Sequence, residues 1–154
     1  MTHNLQGNTL VLYQLVEKHG KNLYDLMEQK EGKNVFFIHG GISAEDRESV
    51  RELCERTDNN IIVASYGTFS TGINIKNLNN VVFASPSKSR IRNLQSIGRG
   101  LRRTDRKTKV ILIDIIDDLT VGKYMNYTYR HYLERVKIYH SEKFNILKSY
   151  SHSI

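Results

Sequence analysis

The densest chemistry in this sequence lies between positions 92 and 103, where Arg92, Gln95, Arg99, Arg102 and Arg103 recur at short spacing. The segment from Ser89 to Arg103 is predicted to be helical. At about 100° per residue these five side chains then share one sector, and Ile91, Leu94, Ile97, Gly98 and Leu101 span the neighbouring one. One face packs inward while the other presents guanidinium groups. Arginine keeps its charge and offers a planar fork of donors that matches phosphate oxygens, so such a face can clamp phosphate. A purely solubilising basic surface would show the same spacing, and spacing alone leaves both readings open.

Two further stretches carry polar groups beside glycines. His39-Gly40-Gly41-Ile42-Ser43, followed by Arg47, leads into a helical pattern, and backbone amides at a helix N-terminus suit an anion. The plainer reading is a structural histidine, a glycine turn, and Ser43 with Asp46 as a capping box. Ala64 to Ile75 places Ser65, Thr68, Gly72 and Asn74 after an apolar run. An ordinary strand-turn-helix, with Gly67 and Gly72 in the turns, would look the same.

The elements that must position these residues can be read from the hydropathy pattern. Apolar runs rich in β-branched residues at 9–15, 34–38, 60–64, 80–84 and 109–114 predict buried strands. Helical periodicity lies between most of them, at about 20–30, 44–56 and 89–103, with a last helix after Leu119. Strands apolar on both faces and joined by helices form a parallel sheet covered on both sides, so the expected fold is three-layer α/β. Ligands of such sheets sit beyond the carboxyl ends of the strands. The segments HGGIS, SYGTFSTGINI and SPSKSR all fall there.

Composition narrows the partners. Residues 1–84 carry 8 Lys and Arg against 10 Asp and Glu, whereas residues 85–154 carry 15 against 6, so the halves stand at −2 and +9. A one-sided basic excess makes a field that attracts a polyanion, and nucleic acid is the first partner to expect. Cys54 is the only cysteine, which excludes an internal disulfide, and no Cys/His spacing suits zinc. No metal site is expected. No apolar run approaches the roughly 20 residues of a membrane span, and the opening MTHNLQGN has no signal-peptide core, so a cytoplasmic location is expected.

Gln95, Gly98, Arg99 and Arg102 fit the pattern Q-x-x-G-R-x-x-R, and here the sequence resembles motif VI of superfamily-two helicases. Residues 64–75 resemble motif V of that family, and Phe37–Ser43 the turn after motif IV. The resemblance covers roughly residues 9 to 114 and implies a RecA-like, P-loop-NTPase-like second motor domain. By that resemblance, Arg99 and Arg102 are arginine fingers toward ATP, and Gly72, Asn74 and Gln95 face the nucleotide. His39, Gly40, Gly41, Ser65 and Thr68 lie along the nucleic acid. Asn74 stands where the family commonly has aspartate; an amide can accept a hydrogen bond there but brings no charge.

The same resemblance implies that ATP and Mg2+ are held mainly by an upstream RecA-like domain of the same protein. The implied substrate is DNA, with RNA not excluded. No G-x-x-x-x-G-K-[ST] loop occurs in this sequence: Gly20-Lys21, Gly32-Lys33 and Gly122-Lys123 are followed by Asn, Asn and Tyr. Negligible ATPase activity is therefore expected of the chain alone, since phosphoryl transfer needs groups positioned from both sides.

Residues 1–120 are expected to form the motor domain and 121–154 a helical extension. That extension holds six of the nine tyrosines among basic residues, a mix that could stack bases. Leu133, Val136, His140, Phe144 and Leu147 fall at helical spacing and predict instead a face packed on this domain or on the missing half. A stand-alone nucleic-acid-binding or regulatory module is the main rival to the motor. An enzyme acting on a phosphorylated metabolite is disfavoured, because no nucleophile or base accompanies the arginines.

Overall fold

The computed structural model describes residues 5–15, 19–29, 32–72, 75–85 and 109–146. Five strands, β1 (Thr9–Tyr13), β2 (Val35–Ile38), β3 (Ile61–Ser65), β4 (Asn80–Phe83) and β5 (Ile111–Asp114), form one sheet in the order β2-β3-β1-β4-β5. Every neighbouring pair is parallel, with Thr9 opposite Ile61 and Asn80, Val35 opposite Ile61, and Asn80 opposite Ile111. The four helices among the described residues are α1 (Lys21–Glu28), α2 (Ala44–Arg56), α3 (Tyr66–Gly72) and α4 (Tyr127–Ser141). The expected helix at 89–103 lies outside the described residues. No helix among them is long and apolar enough to cross a membrane.

Alternation along each strand sends side chains to opposite faces. Leu10, Leu12, Ile62, Ala64, Val81 and Phe83 meet Cys54 of α2, Tyr66 of α3 and Tyr139 of α4 on one face. On the other, Val11, Tyr13, Val63 and Val82 meet Leu23 and Met27 of α1. Helices therefore cover both faces, as continuous apolar strands require. The first strand ends at Tyr13, two residues short of the predicted 9–15, because Gln14 and the exposed Leu15 leave the ladder.

The amino edge of the sheet is closed by asparagines. Asn8 Nδ2 donates to the carbonyls of Cys54 (2.7 Å), Thr57 (3.0 Å) and Asn77 (2.9 Å), while its Oδ1 accepts from Asn60 N (3.0 Å) and Nδ2 (2.9 Å). Asn34 Nδ2 reaches Asn60 Oδ1 at 3.2 Å, and Asn80 Nδ2 donates to Gln6 O and Thr9 Oγ1. Asn8 and Asn60 are fully buried, and their amides satisfy the backbone groups that strand starts and loop ends would otherwise orphan.

The carboxyl edge of β5 is where α4 docks. Arg135 donates from Nε to Asp114 Oδ2 (2.8 Å) and from Nη2 to Oδ1 (3.0 Å), and Tyr139 Oη donates to Oδ2 at 2.7 Å. Arg135 is 1% exposed. Val136 and Phe144 pack on the same core, as the helical spacing predicts. Leu133 and His140 do not join them: both are exposed, and Leu147 lies outside the described residues. The inner face is rotated toward Arg135 and Tyr139 because Asp114 offers a buried bidentate partner, which hydropathy alone does not reveal.

Candidate nucleic-acid site at the carboxyl edge of the sheet

β2 delivers His39 directly to the carboxyl edge. Its ring lies 5.1 Å from that of Phe37, which itself stacks on Tyr24 (5.4 Å) and Tyr13 (5.9 Å). The Gly41 amide donates to His39 Nδ1 at 3.1 Å. With Nδ1 accepting, a neutral ring carries its proton on Nε2 and keeps that donor for a partner. Space at Gly41 is tight: a Cβ would stand 3.0 Å from His39 Cε1 and 3.2 Å from Nδ1, so the ring would have to give by a few tenths of an ångström. At Gly40 a Cβ would meet nothing within 4 Å. Neither glycine adopts positive φ, so the turn does not demand them for conformational reasons.

The helix that follows is capped from within. Ser43 Oγ accepts from Asp46 N (3.0 Å) and donates to Asp46 Oδ2 (2.7 Å), and Glu45 joins Asp46 in the first turn. These carboxylates complement the helix dipole and repel a phosphate at the same spot. Arg47 folds back, its Nε donating to Ile42 O at 3.1 Å. The groups of this turn that could meet an anion are thus His39 and the adjacent backbone, set before the helix terminus.

On the neighbouring strand, Ser65 ends β3 and α3 begins at the next residue. Gly67 therefore makes no turn; it lies within α3, with no positive φ. Ser65 Oγ accepts from Thr68 N at 3.2 Å and shares a hydrogen bond with Thr68 Oγ1 at 2.8 Å, which caps the short helix. Both residues are buried. The geometry brings Ser65 at the end of β3 together with Thr68 in α3, and His39, Gly40 and Gly41 follow the adjacent β2 at the same edge. Gly72 closes α3. Asn74, Gln95, Arg99 and Arg102 lie outside the described residues, as do Arg92 and Arg103. Among the described residues, no group of three His, Cys, Asp or Glu side chains could hold a metal ion.

Residues 1–104 match the family model of the helicase conserved C-terminal domain. The chain belongs to that family. The match takes in the HGG turn, the Ser65–Asn74 segment and the arginine-bearing segment up to Arg103. Among curated relatives, the ATP-dependent DNA helicase uvsW of Enterobacteria phage T4 is 40% identical over 148 residues, which is 90% of this chain and 29% of that protein. The putative ATP-dependent helicase IRC3 of Saccharomyces cerevisiae is 25% identical over 123 residues, covering 78% of this chain and 18% of the yeast protein. This helicase C-terminal domain thus spans less than a third of the length of either relative.

The solved structures agree. The crystal structure of T4 UvsW superposes with a TM-score of 0.71 at 41% identity, over 90% of this chain and 30% of that one. Domain 2 of a DEAD-box helicase bound to an RNA duplex matches with a TM-score of 0.56 at 19% identity, over 72% of this chain and 43% of that one, and so shares the fold. The fold is α/β and RecA-like, as the order of motifs implied.

Two features of the described structure were not singled out by sequence reasoning. One is the Asp114–Arg135–Tyr139 cluster. The other is the asparagine closure, for which a signal was present: Asn8, Asn34, Asn60 and Asn80 stand at or just before the starts of four strands.

Proposed function

We propose that this chain is the second motor domain of an ATP-dependent DNA helicase or translocase that acts in recombination, repair or branched-DNA processing. The observation that carries this reading is the 40% identity, over 90% of the chain, to an ATP-dependent DNA helicase. ATP and Mg2+ would be held mainly by the upstream RecA-like domain, with Gly72, Asn74 and Gln95 facing the nucleotide from this side. Arg99 and Arg102 would reach across the cleft and offset the charge that builds on the γ-phosphoryl oxygens during transfer.

The nucleic-acid strand would run along the carboxyl edge. His39 presents an Nε2–H donor there beside the exposed Gly40, and Ser65 with Thr68 sits one strand away. The Ser65–Thr68 pair acts first as a cap, so a phosphate contact from either hydroxyl requires that pair to exchange its mutual hydrogen bond for one to the strand. A phage-encoded motor of this kind would work in the host cytoplasm.

ATP hydrolysis, measured with and without DNA for this chain alone and for the chain joined to its upstream half, tests the reading. DNA-stimulated turnover is expected in the joined protein and none in the chain alone. Salt-sensitive DNA binding with no turnover in either form would leave a binding module instead. Duplex and single-stranded RNA in the same assay decide the polynucleotide.

A further inference from the structure

The outer face of α4 and the turn that precedes it form a surface with the opposite character to the docked face. Leu119, Val121, Tyr124 and Tyr127 are 68%, 76%, 84% and 72% exposed, unusually high for large apolar and aromatic residues lying so close together in sequence. Tyr124 is held out by a tight antiparallel turn. Val121 N donates to Tyr124 O (3.1 Å) and Tyr124 N to Val121 O (3.0 Å), around Gly122 at φ +59°. Positive φ at the first central position only is the II′ pattern, which glycine accommodates without strain.

Tyr127 is likewise steadied rather than loose. It opens α4, where its ring meets His131 edge-on at a centroid distance of 4.1 Å. The start of the helix is pinned by Asn126 Nδ2 (2.7 Å) and Thr128 Oγ1 (2.8 Å), both donating to the carbonyl of Asp117. A shallow groove runs along this face past Arg130, His131 and Lys137. Its one carboxylate, Glu134, bonds Lys137 at 2.9 Å. Arg130 donates to Met125 O through Nε and Nη2, which orients its guanidinium without removing its charge.

The inward side of α4 is already spent on Arg135, Val136 and Tyr139, so this second face is not needed to close the core. β5, on which α4 docks, and β2, which carries His39, are the two outer strands of the sheet. They are four strand spacings apart, roughly 19 Å at about 4.8 Å each. We propose that Tyr124 and Tyr127, flanked by Lys123, Arg130 and Lys137, form a stacking platform for unpaired bases of a single-stranded nucleic acid. Phosphates would follow the cations and bases would lie on the two rings. Stacking tolerates any base because every base has a π-face, so binding should be sequence-independent, and it should prefer single strands because duplex bases are already stacked. This surface lies outside residues 1–104 and its binding requires no ATP, so it stands whether or not the motor reading holds.

The test uses the full chain and a labelled dT oligonucleotide of about 12 nucleotides, with a duplex of equal length as control. Fluorescence anisotropy gives affinity; because the chain contains no tryptophan, quenching of its own tyrosine emission reports stacking directly. Tyr124→Ala and Tyr127→Ala should each weaken oligo-dT binding at least about fivefold, change duplex binding little, and lose part of the quenching. Tyr127→Phe should bind like the parent. Thermal midpoints close to the parent's are expected for all variants, because both rings are exposed. Unchanged oligo-dT affinity in the folded alanine variants would overturn the proposal. So would an equal loss in Tyr127→Phe, or variants that bind DNA normally but fail to associate with the upstream half.

Discussion

Arg135 of α4 grips Asp114 at the end of β5 with two hydrogen bonds, 2.8 and 3.0 Å long, in a site where both side chains are at least nine-tenths buried. Tyr139 adds a third bond to the same carboxylate. Three donors on one buried carboxylate fix where α4 lies against the strand that follows the arginine-bearing segment. Removing one partner leaves a buried charge uncompensated, which costs far more than the pair's net contribution. Arg135→Ala should lower the unfolding free energy by about 3–5 kcal/mol, read from urea denaturation. Arg135→Lys should recover only part of this, because an ammonium cannot bond both oxygens as a fork does. A loss within experimental error would mean that α4 does not depend on this contact.

The pH dependence of stability should be confined to the alkaline side for the buried hydroxyl and thiol groups. Burial, aided by the charge of Glu55, pushes the Cys54 thiol up from 9.0 to about 11, and burial pushes the Tyr13 hydroxyl up from 10.0 to about 12. Tyr139 is raised too, by burial first and then by Asp114. A group whose folded value is raised keeps its stabilising contribution below its unfolded value and loses it as pH rises to the folded one. The urea midpoint should therefore fall between about pH 9 and 12. Cys54→Ala should flatten the portion from 9 to 11; an unchanged slope there would remove the thiol from the account.

Gly41→Ala separates the site from the fold. The added methyl would stand 3.0 Å from the His39 ring, pushing the imidazole by a few tenths of an ångström against its bond from the Gly41 amide while touching no core residue. DNA affinity should fall severalfold with a thermal midpoint within about 2 °C of the parent, as surface changes usually cost under about 0.5 kcal/mol. His39→Ala should lower affinity at least as far, because it removes the ring outright. Unchanged affinity in both folded variants would show that His39 placement is irrelevant to binding.

Much of this fold is legible in the sequence because parallel strands buried on both faces read as continuous apolar runs. All five strands, Thr9–Tyr13 through Ile111–Asp114, sit where those runs predicted. Ser43 and Asp46 likewise announced the α2 cap through their spacing. Three features were less visible. Helix α3 is only seven residues long, too short for periodicity, and follows Ser65 without a turn. The inner face of α4 is carried by an arginine and a tyrosine, types that hydropathy places outside. The Ser65–Thr68 bond depends on how the strand hands over to α3, which residue types alone do not specify. The HGG turn was legible as a candidate site, yet the close approach of Gly41 to His39 needed coordinates.

The arginines carry the central claim, and hydrolysis tests it most directly. DNA-stimulated ATP turnover should be measured in the chain joined to its upstream half, for the parent, Arg99→Ala and Arg102→Ala, with DNA affinity measured in parallel. Loss of one arginine finger costs about a thousandfold or more in turnover, so Arg102→Ala should fall to near background while binding DNA much as the parent does. Turnover close to the parent's in both variants would contradict the assignment of this domain as the donor of the fingers.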